Sequence, residues 1–169
     1  MNKLLKRLLI GTCAACVLTL IGLGASMQDE VKEENSKYGK YILTDDIYLE
    51  IPEYAGTSLY ANNGELQGPV SFTYHTVAEP ISFDDVHSHD FQEILCFVGG
   101  NPLDITDFDA IIEYTMEDEK HIITKPACVT MPPKLVHCPI SIKNVSVEKP
   151  IIFMAISLAS EYGTPNYVK

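Results

Sequence analysis

His87-Ser88-His89-Asp90-Phe91-Gln92-Glu93 is the stretch that decides the fold, and the apolar run Ile94-Leu95-Cys96-Phe97-Val98 follows it directly. Side chains alternate between the two faces of a β-strand, so a regular strand here places His87, His89 and Glu93 on one face. That face has imidazole and carboxylate groups at one end and apolar side chains at the other. This pattern is typical of a small β-barrel that is packed at one end and open around a ligand at the other.

A fourth candidate ligand closes a second stretch further along the chain, Met131-Pro132-Pro133-Lys134-Leu135-Val136-His137. The two prolines restrict the backbone ahead of His137, so the imidazole can be presented at the barrel mouth. Three imidazoles and one carboxylate facing one space indicate a site for one divalent transition metal. Iron, manganese, nickel and zinc all suit these ligands, and affinity alone does not choose among them.

The first stretch resembles the first motif of the cupin family. That motif runs His-x-His, three or four residues, Glu, six residues, Gly, and His87, His89, Glu93 and Gly100 match it. The resemblance implies an all-β fold, the cupin-type double-stranded β-helix or jelly-roll barrel. It also implies that these two histidines and the glutamate are metal ligands.

The second stretch resembles the second cupin motif, Pro-x-Gly-x-x-His, because Pro132, Lys134 and His137 occupy its places. The resemblance implies His137 as the fourth metal ligand. Lys134 replaces the central glycine, so a left-handed backbone at this turn cannot be assumed. Residues 81, 126 and 141 also depart from the family pattern, which leaves the activity undefined.

The first 25 residues have a composition of their own. Basic residues at positions 3, 6 and 7 precede an apolar stretch from 8 to 24, a pattern typical of a secretory signal peptide with cleavage near Ala25. The stretch is also long enough for an uncleaved N-terminal membrane anchor. Both readings predict a secreted or extracytoplasmic protein, whereas translation from Met27 would make it cytoplasmic.

The sequence predicts one folded domain, at residues 41–169, after a charged linker at 26–40. Short apolar runs separated by Pro, Gly, Asn and Asp indicate an all-β structure. The candidate strands are residues 41–43, 47–51, 70–75, 91–98, 110–116, 121–123, 128–131, 136–142 and 151–157. The motif core covers about 70–157.

The net charge of the chain is −11, and residues 1–25 contain three basic residues and no acidic ones. Without them 9 basic and 23 acidic residues remain, a net charge of −14. Such a surface repels nucleic acid and anionic lipid headgroups, so we expect neither as a partner. Membrane contact is expected only through an uncleaved N-terminal segment, and a homodimer is possible because cupins often pair through edge strands.

Three cysteines follow the leader, Cys96, Cys128 and Cys138, without the spacing of a disulfide framework. We expect three free thiols, with one bridge possible. Strand alternation is expected to turn Cys96 and Cys138 away from the metal. His75 lies on a candidate strand, and it is either a buried or surface imidazole with satisfied hydrogen bonds or a group that faces the substrate.

Two functions of different classes follow. The first is a small metalloenzyme, dioxygenase-like or an isomerase or lyase, that acts on a small organic molecule bound at the site of three histidines and one glutamate. The alternative is a non-catalytic module that binds or senses a metal or a small ligand. No catalytic acid–base pair can be identified from the sequence, and the fold does not choose between the two.

Overall fold

The computed structural model describes residues 37–159 and the backbone of Asn166–Tyr167. The predicted leader, and residues 26–36 of the predicted linker, lie outside the described residues. Lys37–Lys169 form one compact unit. Within the described ranges, no helix has the length and apolar character needed to cross a membrane.

About half of the described residues lie in β-strands, and very few lie in helices. The strands are β1 (Tyr48–Glu50), β2 (Ala55–Ala61), β3 (Ser71–Val77), β4 (Ile81–Phe83), β5 (His87–Ser88), β6 (Glu93–Gly99), β7 (Ile111–Met116), β8 (Glu119–Ile123), β9 (Ala127–Met131), β10 (His137–Lys143), β11 (Ile151–Ser157) and β12 (Asn166–Tyr167). A 3₁₀ turn spans Gly39–Tyr41, and helix α1 spans Asn63–Leu66. The Asn62 side chain and Glu65 form a capping box at the start of α1.

The strands form two antiparallel sheets. The first has the order β1-β2-β3-β11-β6-β9, and the second has the order β12-β5-β10-β7-β8 with β4 also paired to β10. Side chains from both sheets contribute to one buried cluster, so the sheets pack face to face. Its fully buried members include Phe97 and Ile151 from the first sheet and Ile112, Tyr114 and Ile142 from the second. The all-β, cupin-type jelly-roll prediction is confirmed.

Most predicted strands are present within a few residues of their expected bounds, and β11 has the bounds that were predicted for it. The strand predicted at residues 41–43 is wrong, because the chain there leaves a 3₁₀ turn and continues without strand pairing. Strand β2 was not predicted, since Gly56, Thr57 and Ser58 hide its alternation. Its register against β3 shifts between Ala55 and Leu59, which also weakens a strict period of two.

The stretch that carries the first motif is not one regular strand. His87 and Ser88 form β5 in the second sheet, and Glu93 begins β6 in the first sheet. Residues 89–92 connect the two sheets outside regular strand structure. The expectation that alternation alone puts His87, His89 and Glu93 on one face is therefore wrong in its reason, since the chain crosses between sheets within this stretch.

Candidate metal site

The four predicted ligands lie where the two sheets meet at one end of the barrel. His87 on β5 pairs directly with His137 on β10 in the second sheet. Glu93, the first residue of β6, pairs with Ser157 at the end of β11 in the first sheet. His89 lies on the segment that joins the sheets. The structure thus brings the four residues together through a sheet crossing.

Three of the ligands are almost completely removed from solvent. His89, Glu93 and His137 are 4%, 3% and 2% exposed. One carboxylate oxygen of Glu93, Oε2, lies 3.6 Å from His89 Nε2 and 3.4 Å from His137 Nε2. The His87 ring centroid lies 4.8 Å from that of His89 and 4.4 Å from that of His137. Two buried imidazoles therefore approach one carboxylate oxygen, and the half-buried ring of His87 packs against both of them.

Backbone carbonyls fix the orientation of two of the rings. His87 Nδ1–H donates to the Asp85 carbonyl at 2.6 Å, and His137 Nδ1–H donates to the Leu135 carbonyl at 2.9 Å. With the proton on Nδ1, Nε2 is the unprotonated nitrogen, which is the form that coordinates a metal ion. This use of a carbonyl to set the tautomer is typical of histidines that bind metals.

The site fits a metal ion. His137 Nε2 is buried and has no hydrogen-bond partner among the described residues, and an atom of this kind is costly unless something binds it. Ligand atoms at about 2.0–2.2 Å from an ion lie about 3.0–3.5 Å from each other in octahedral or tetrahedral sites. The 3.4 Å and 3.6 Å separations around Glu93 Oε2 are close to that range. Imidazole nitrogen and carboxylate oxygen are suitable donors for divalent transition metals.

The environment changes the pKa of two of these imidazoles in opposite directions. Burial lowers the pKa of His89, and the Glu93 carboxylate offsets only part of that effect. Burial also acts to lower the pKa of His137, but Glu93 and the hydrogen bond to the Leu135 carbonyl outweigh it, and the pKa is raised. A metal ion at this site must therefore compete with a proton on His137, so affinity should decrease at acid pH.

The turn before His137 packs against the first motif. Lys134 N–H donates to the His89 carbonyl at 2.7 Å, which joins the two motifs directly. Lys134 has a φ of 71°, the left-handed conformation that glycine adopts more easily. The departure from the family motif therefore leaves the left-handed turn intact, at a cost of roughly 1–2 kcal/mol for a non-glycine residue.

Cys138 also contributes to the site, and the expectation that it faces away from His137 is wrong. The register of β10 shifts between His137 and Ile140, and Cys138 has a φ of 72°, so alternation does not hold there. Its Sγ lies within 4.8 Å of ligand atoms of both His87 and His137. Burial, followed by the charges of Glu93 and Asp85, raises the pKa of this thiol to about 12. Two groups able to hold an ion thus share His137: one with His89 and Glu93, the other with His87 and Cys138.

A cavity of about 480 Å³ opens beside the ligands. His87, Glu93, His137 and Cys138 form one part of its wall, and the remaining lining is mostly apolar and aromatic. His75 lies in the same wall, which favours the interpretation of this residue as a group that faces a ligand. A small organic molecule in this cavity can reach an ion held by the histidines.

Two comparisons with known proteins find no relative: no family model and no curated protein matches this chain. The third finds solved structures of similar architecture. This chain is similar to a cupin 2 domain-containing protein from Halorhodospira halophila, with 17% identity, a TM-score of 0.47, and coverage of 72% of this chain and 74% of that chain.

A cupin-like protein from Thermotoga maritima is similar over 75% of this chain and 87% of that chain, at 14% identity and a TM-score of 0.44. A structure concerned with the Mn(II) centres of Bacillus subtilis oxalate decarboxylase is similar over 72% of this chain, at 13% identity and a TM-score of 0.45. The matched region spans only 30% of that decarboxylase chain. The order and packing of the two antiparallel sheets define the fold.

Sequence reasoning missed two groups that the structure places at the site. Ser157, which is 1% exposed, has its Oγ 3.5 Å from the second carboxylate oxygen of Glu93. Cys138 was dismissed on strand alternation. The positive φ and register shift that bring it to the site leave no trace in the sequence except the neighbouring Pro139. Ser157 lies at the end of a well-predicted strand, but its pairing with Glu93 depends on sheet order.

Proposed function

We propose that the chain is a divalent-metal-binding protein of the cupin type in which His87, His89, Glu93 and His137 hold one transition-metal ion. The observation that carries the proposal is the buried Nε2 of His137, without a hydrogen-bond partner among the described residues and 3.4 Å from Glu93 Oε2. Carbonyl contacts at Nδ1 of His87 and His137 support it, because they place the proton on Nδ1 and leave Nε2 in the unprotonated form that coordinates an ion.

We further propose that the bound ion acts on a small organic molecule, in dioxygenase-like chemistry or as an isomerase or lyase. Three imidazoles and one carboxylate leave two positions of an octahedral ion available. When bound, the ion supplies Lewis acidity, and iron or manganese also supplies redox chemistry. The side chains of His87, Glu93 and His137 line the cavity, so a molecule held there lies next to the ion.

The chain's own residues have distinct tasks in this proposal. Glu93 supplies the negative charge that offsets part of the charge of a divalent ion, and the long contact from Ser157 orients its other oxygen. The Asp85 and Leu135 carbonyls hold two imidazoles in position. The apolar wall of the cavity excludes water, which strengthens electrostatic interactions with a bound molecule.

A non-catalytic module that binds or senses a metal or small ligand is the alternative. Its support is the composition of the cavity wall, in which the polar groups besides the predicted ligands are few: Tyr54, Tyr60, Thr73, His75 and Cys138. None of these forms an acid–base pair with another among the described hydrogen bonds. In this alternative the metal site is the same, but the protein catalyses no reaction.

Metal content tests the first step. The protein is purified without added metal, and then dialysed separately against iron(II), manganese(II), nickel(II) and zinc(II) before elemental analysis. We expect close to one equivalent of at least one of these metals per chain. Less than about a tenth of an equivalent of every metal would refute both the enzyme and the metal-dependent binding module.

Turnover separates the two functions. Oxygen uptake by the iron- and manganese-loaded protein is measured against catechols, diketones, thiols and hydroxyketones, and product formation without oxygen is followed by NMR. Turnover that requires the metal supports the enzyme. Stoichiometric metal and tight ligand retention without turnover in any condition would support the module instead.

We also propose that the protein is exported, that it has no nucleic-acid partner, and that it forms a homodimer. The apolar N-terminal stretch supports export, and the acidic composition supports the absence of a nucleic-acid partner. The family resemblance alone supports the homodimer. N-terminal sequencing of the native protein distinguishes cleavage near Ala25 from an intact leader or a start at Met27. Sedimentation measures the oligomeric state.

A further inference from the structure

A second polar group lies in the cavity wall and belongs to the first sheet. His75 on β3 is 5% exposed, and its Nδ1 is 2.8 Å from the Oγ of Ser58, which is fully buried. Its ring stacks on Tyr54 with centroids 3.9 Å apart and an interplanar angle of 9°. These contacts fix the imidazole on both its edge and its face, so its position in the wall is well defined.

The other nitrogen of this ring, Nε2, has no hydrogen-bond partner among the described residues, although His75 lines the cavity. Burial lowers the pKa of His75, which favours the neutral ring at neutral pH. A neutral imidazole held through Nδ1 offers either a donor or an acceptor at Nε2, according to whether the Ser58 hydroxyl donates or accepts.

The surroundings of His75 are aromatic. Tyr54 and Phe83 have ring centroids 6.5 Å apart, His75 and Phe153 are 6.1 Å apart, and Phe83 and Phe153 are 6.2 Å apart. All four rings line the cavity. Rings at such separations already contact one another, and the faces and edges that they present to the cavity can pack against a further flat ring, with about 0.5–1.5 kcal/mol for each pair.

The charged residues in the cavity wall restrict the class of molecule that can bind there. No lysine or arginine is among the described residues that line the cavity, and Glu93 is the acidic residue there. A carboxylate or phosphate that is hydrogen-bonded to His75 and not bound to the ion would be desolvated without a cation to pair with it, which is strongly unfavourable. A hydroxyl group carries no charge and can donate or accept, so it matches Nε2 in either tautomer.

We propose that the cavity binds a planar hydroxyaromatic molecule, with its ring among Tyr54, Phe83 and Phe153 and a hydroxyl group hydrogen-bonded to His75 Nε2. This inference rests on the proposed function in one respect: the same molecule would present another oxygen to the metal. Binding at the His75 end does not itself require the ion, so the two proposals can fail separately.

The test uses 2-naphthol and 2-methylnaphthalene, two flat probes of similar size of which only the first has a hydroxyl group. Binding to the full chain is followed by probe fluorescence, with metal-free protein and with zinc-loaded protein. We expect 2-naphthol to bind about three- to tenfold more tightly than 2-methylnaphthalene in both forms, the effect of one well-placed hydrogen bond. Equal affinity for the two probes, or binding of neither, would overturn the inference.

The variant His75→Phe retains a ring beside Tyr54 and removes both nitrogens, so it should abolish the preference for 2-naphthol. His121→Phe makes the same change at an exposed position and should leave the preference unchanged. If the histidine variant fails to fold, the comparison of the two probes on the wild-type protein still decides. Zinc stoichiometry measured in parallel identifies a failure of the metal proposal separately.

A different observation carries a second inference. Cys96 on β6 and Cys128 on β9 are directly opposite each other in the first sheet, with their Sγ atoms 3.0 Å apart. Opposed residues of antiparallel strands have Cα atoms about 4.5–5.5 Å apart, within the range that a disulfide spans. Cys128 is exposed, whereas Cys96 is buried. We infer that these two thiols form a cross-strand disulfide when the protein meets a low-molecular-weight disulfide.

Glutathione disulfide is the oxidant in this exchange, and it is reduced to two glutathione thiols. The exposed Cys128 thiolate attacks one sulfur, forms a mixed disulfide and releases one glutathione thiolate. Cys96 then loses its proton to solvent and attacks the Cys128 sulfur, which forms the Cys96–Cys128 bond and releases the second glutathione. Burial and the neighbouring Cys128 raise the pKa of Cys96 to about 11. Because the thiolate is the attacking form, Cys96 attacks second.

Mass spectrometry of the intact full chain after incubation with glutathione disulfide tests this inference. Peptide mapping locates the change among the five cysteines of the chain. We expect a loss of two hydrogens at the Cys96–Cys128 pair, a free thiol at Cys138 and no stable glutathione adduct on Cys128. The Cys128→Ser variant should lose no hydrogens at Cys96, and Cys138→Ser should form the same Cys96–Cys128 bond as the wild type does. A persistent glutathione adduct on Cys128, or free thiols at both Cys96 and Cys128, would overturn the inference.

Discussion

Two places in this molecule bring a histidine and a glutamate to almost the same separation. Glu93 lies 3.6 Å from His89, and Glu119 lies 3.7 Å from His121. The side chains of the first pair are 4% and 2% exposed, and those of the second are 77% and 40% exposed. The residue types and distances match, so any difference in behaviour comes from burial and from the neighbouring His137.

The comparison shows why only one pair indicates a function. A solvated ion pair is worth about 0–1 kcal/mol, and many such pairs contribute nothing measurable. A buried carboxylate among imidazoles has lost its water, and it is costly unless a proton or an ion takes the place of that water. The cluster around Glu93 therefore requires a partner that the pair around Glu119 does not.

The largest expected difference concerns metal affinity. Glu93→Gln removes the anionic ligand but keeps the shape, and we expect zinc affinity to decrease by at least about 100-fold, more than the loss from a residue that only orients a ligand. Glu119→Gln should change the affinity less than twofold. Competition titration with a chromogenic chelator measures both. Similar losses in the two variants would show that the carboxylates act only through overall charge.

Metal binding should also stabilise the fold. Zinc at 100 times its dissociation constant should raise the free energy of unfolding by about 2.7 kcal/mol, because the unfolded chain lacks the assembled site. The same increment is expected for Glu119→Gln, and almost none for Glu93→Gln at the same zinc concentration. Urea unfolding with and without zinc measures it. A wild-type stability that does not depend on zinc would contradict an assembled site.

A smaller effect is expected at the serine that contacts Glu93. Ser157→Ala removes the Oγ that lies 3.5 Å from Glu93, and zinc affinity should decrease by about tenfold, the lower end for groups that orient a ligand. Ser141→Ala is the matched control, because that hydroxyl bonds the Ser82 hydroxyl at 3.0 Å on the surface. Equal affinities in the two variants would show that Ser157 does not orient the carboxylate.

The smallest expected effect is a pH dependence at His75. Burial holds its pKa below the ordinary value of 6.5, so the unfolded chain binds more protons than the folded one as the pH falls past that value. The stability contribution is fully present above pH 6.5 and is lost as the pH falls through the lower folded-state pKa. Urea unfolding at pH 8 and pH 5 should show a smaller acid-induced loss for His75→Phe than for the wild type or His121→Phe.

The buried cluster around Glu93 could be predicted only in part from the sequence. The first motif identified His87, His89 and Glu93, and strand β11 was predicted with both bounds because its apolar run is long and its pairing regular. The geometry that unites the ligands was not predicted. It depends on a chain that leaves one sheet after Ser88 and enters the other at Glu93. The two-residue alternation of side chains along a β-strand contains no information on such a crossing.

Other features of the site depend on backbone conformations that local sequence does not reveal. Lys134 and Cys138 both adopt positive φ angles, although neither residue type favours them. The first lets the Pro-Pro turn reach His89, and the second turns a thiol toward His137. Tertiary packing imposes these conformations, so it was easier to predict which residues meet at the site than the shape of the cavity beside them.

The location of a bound metal tests the central claim most directly. Crystals of the zinc-loaded protein give an anomalous difference map at the zinc absorption edge. We predict one strong peak about 2.0–2.2 Å from the Nε2 atoms of His87, His89 and His137 and from a carboxylate oxygen of Glu93. No peak at this position, a peak held by Cys138 without Glu93, or a stronger one between Glu119 and His121 would contradict the account.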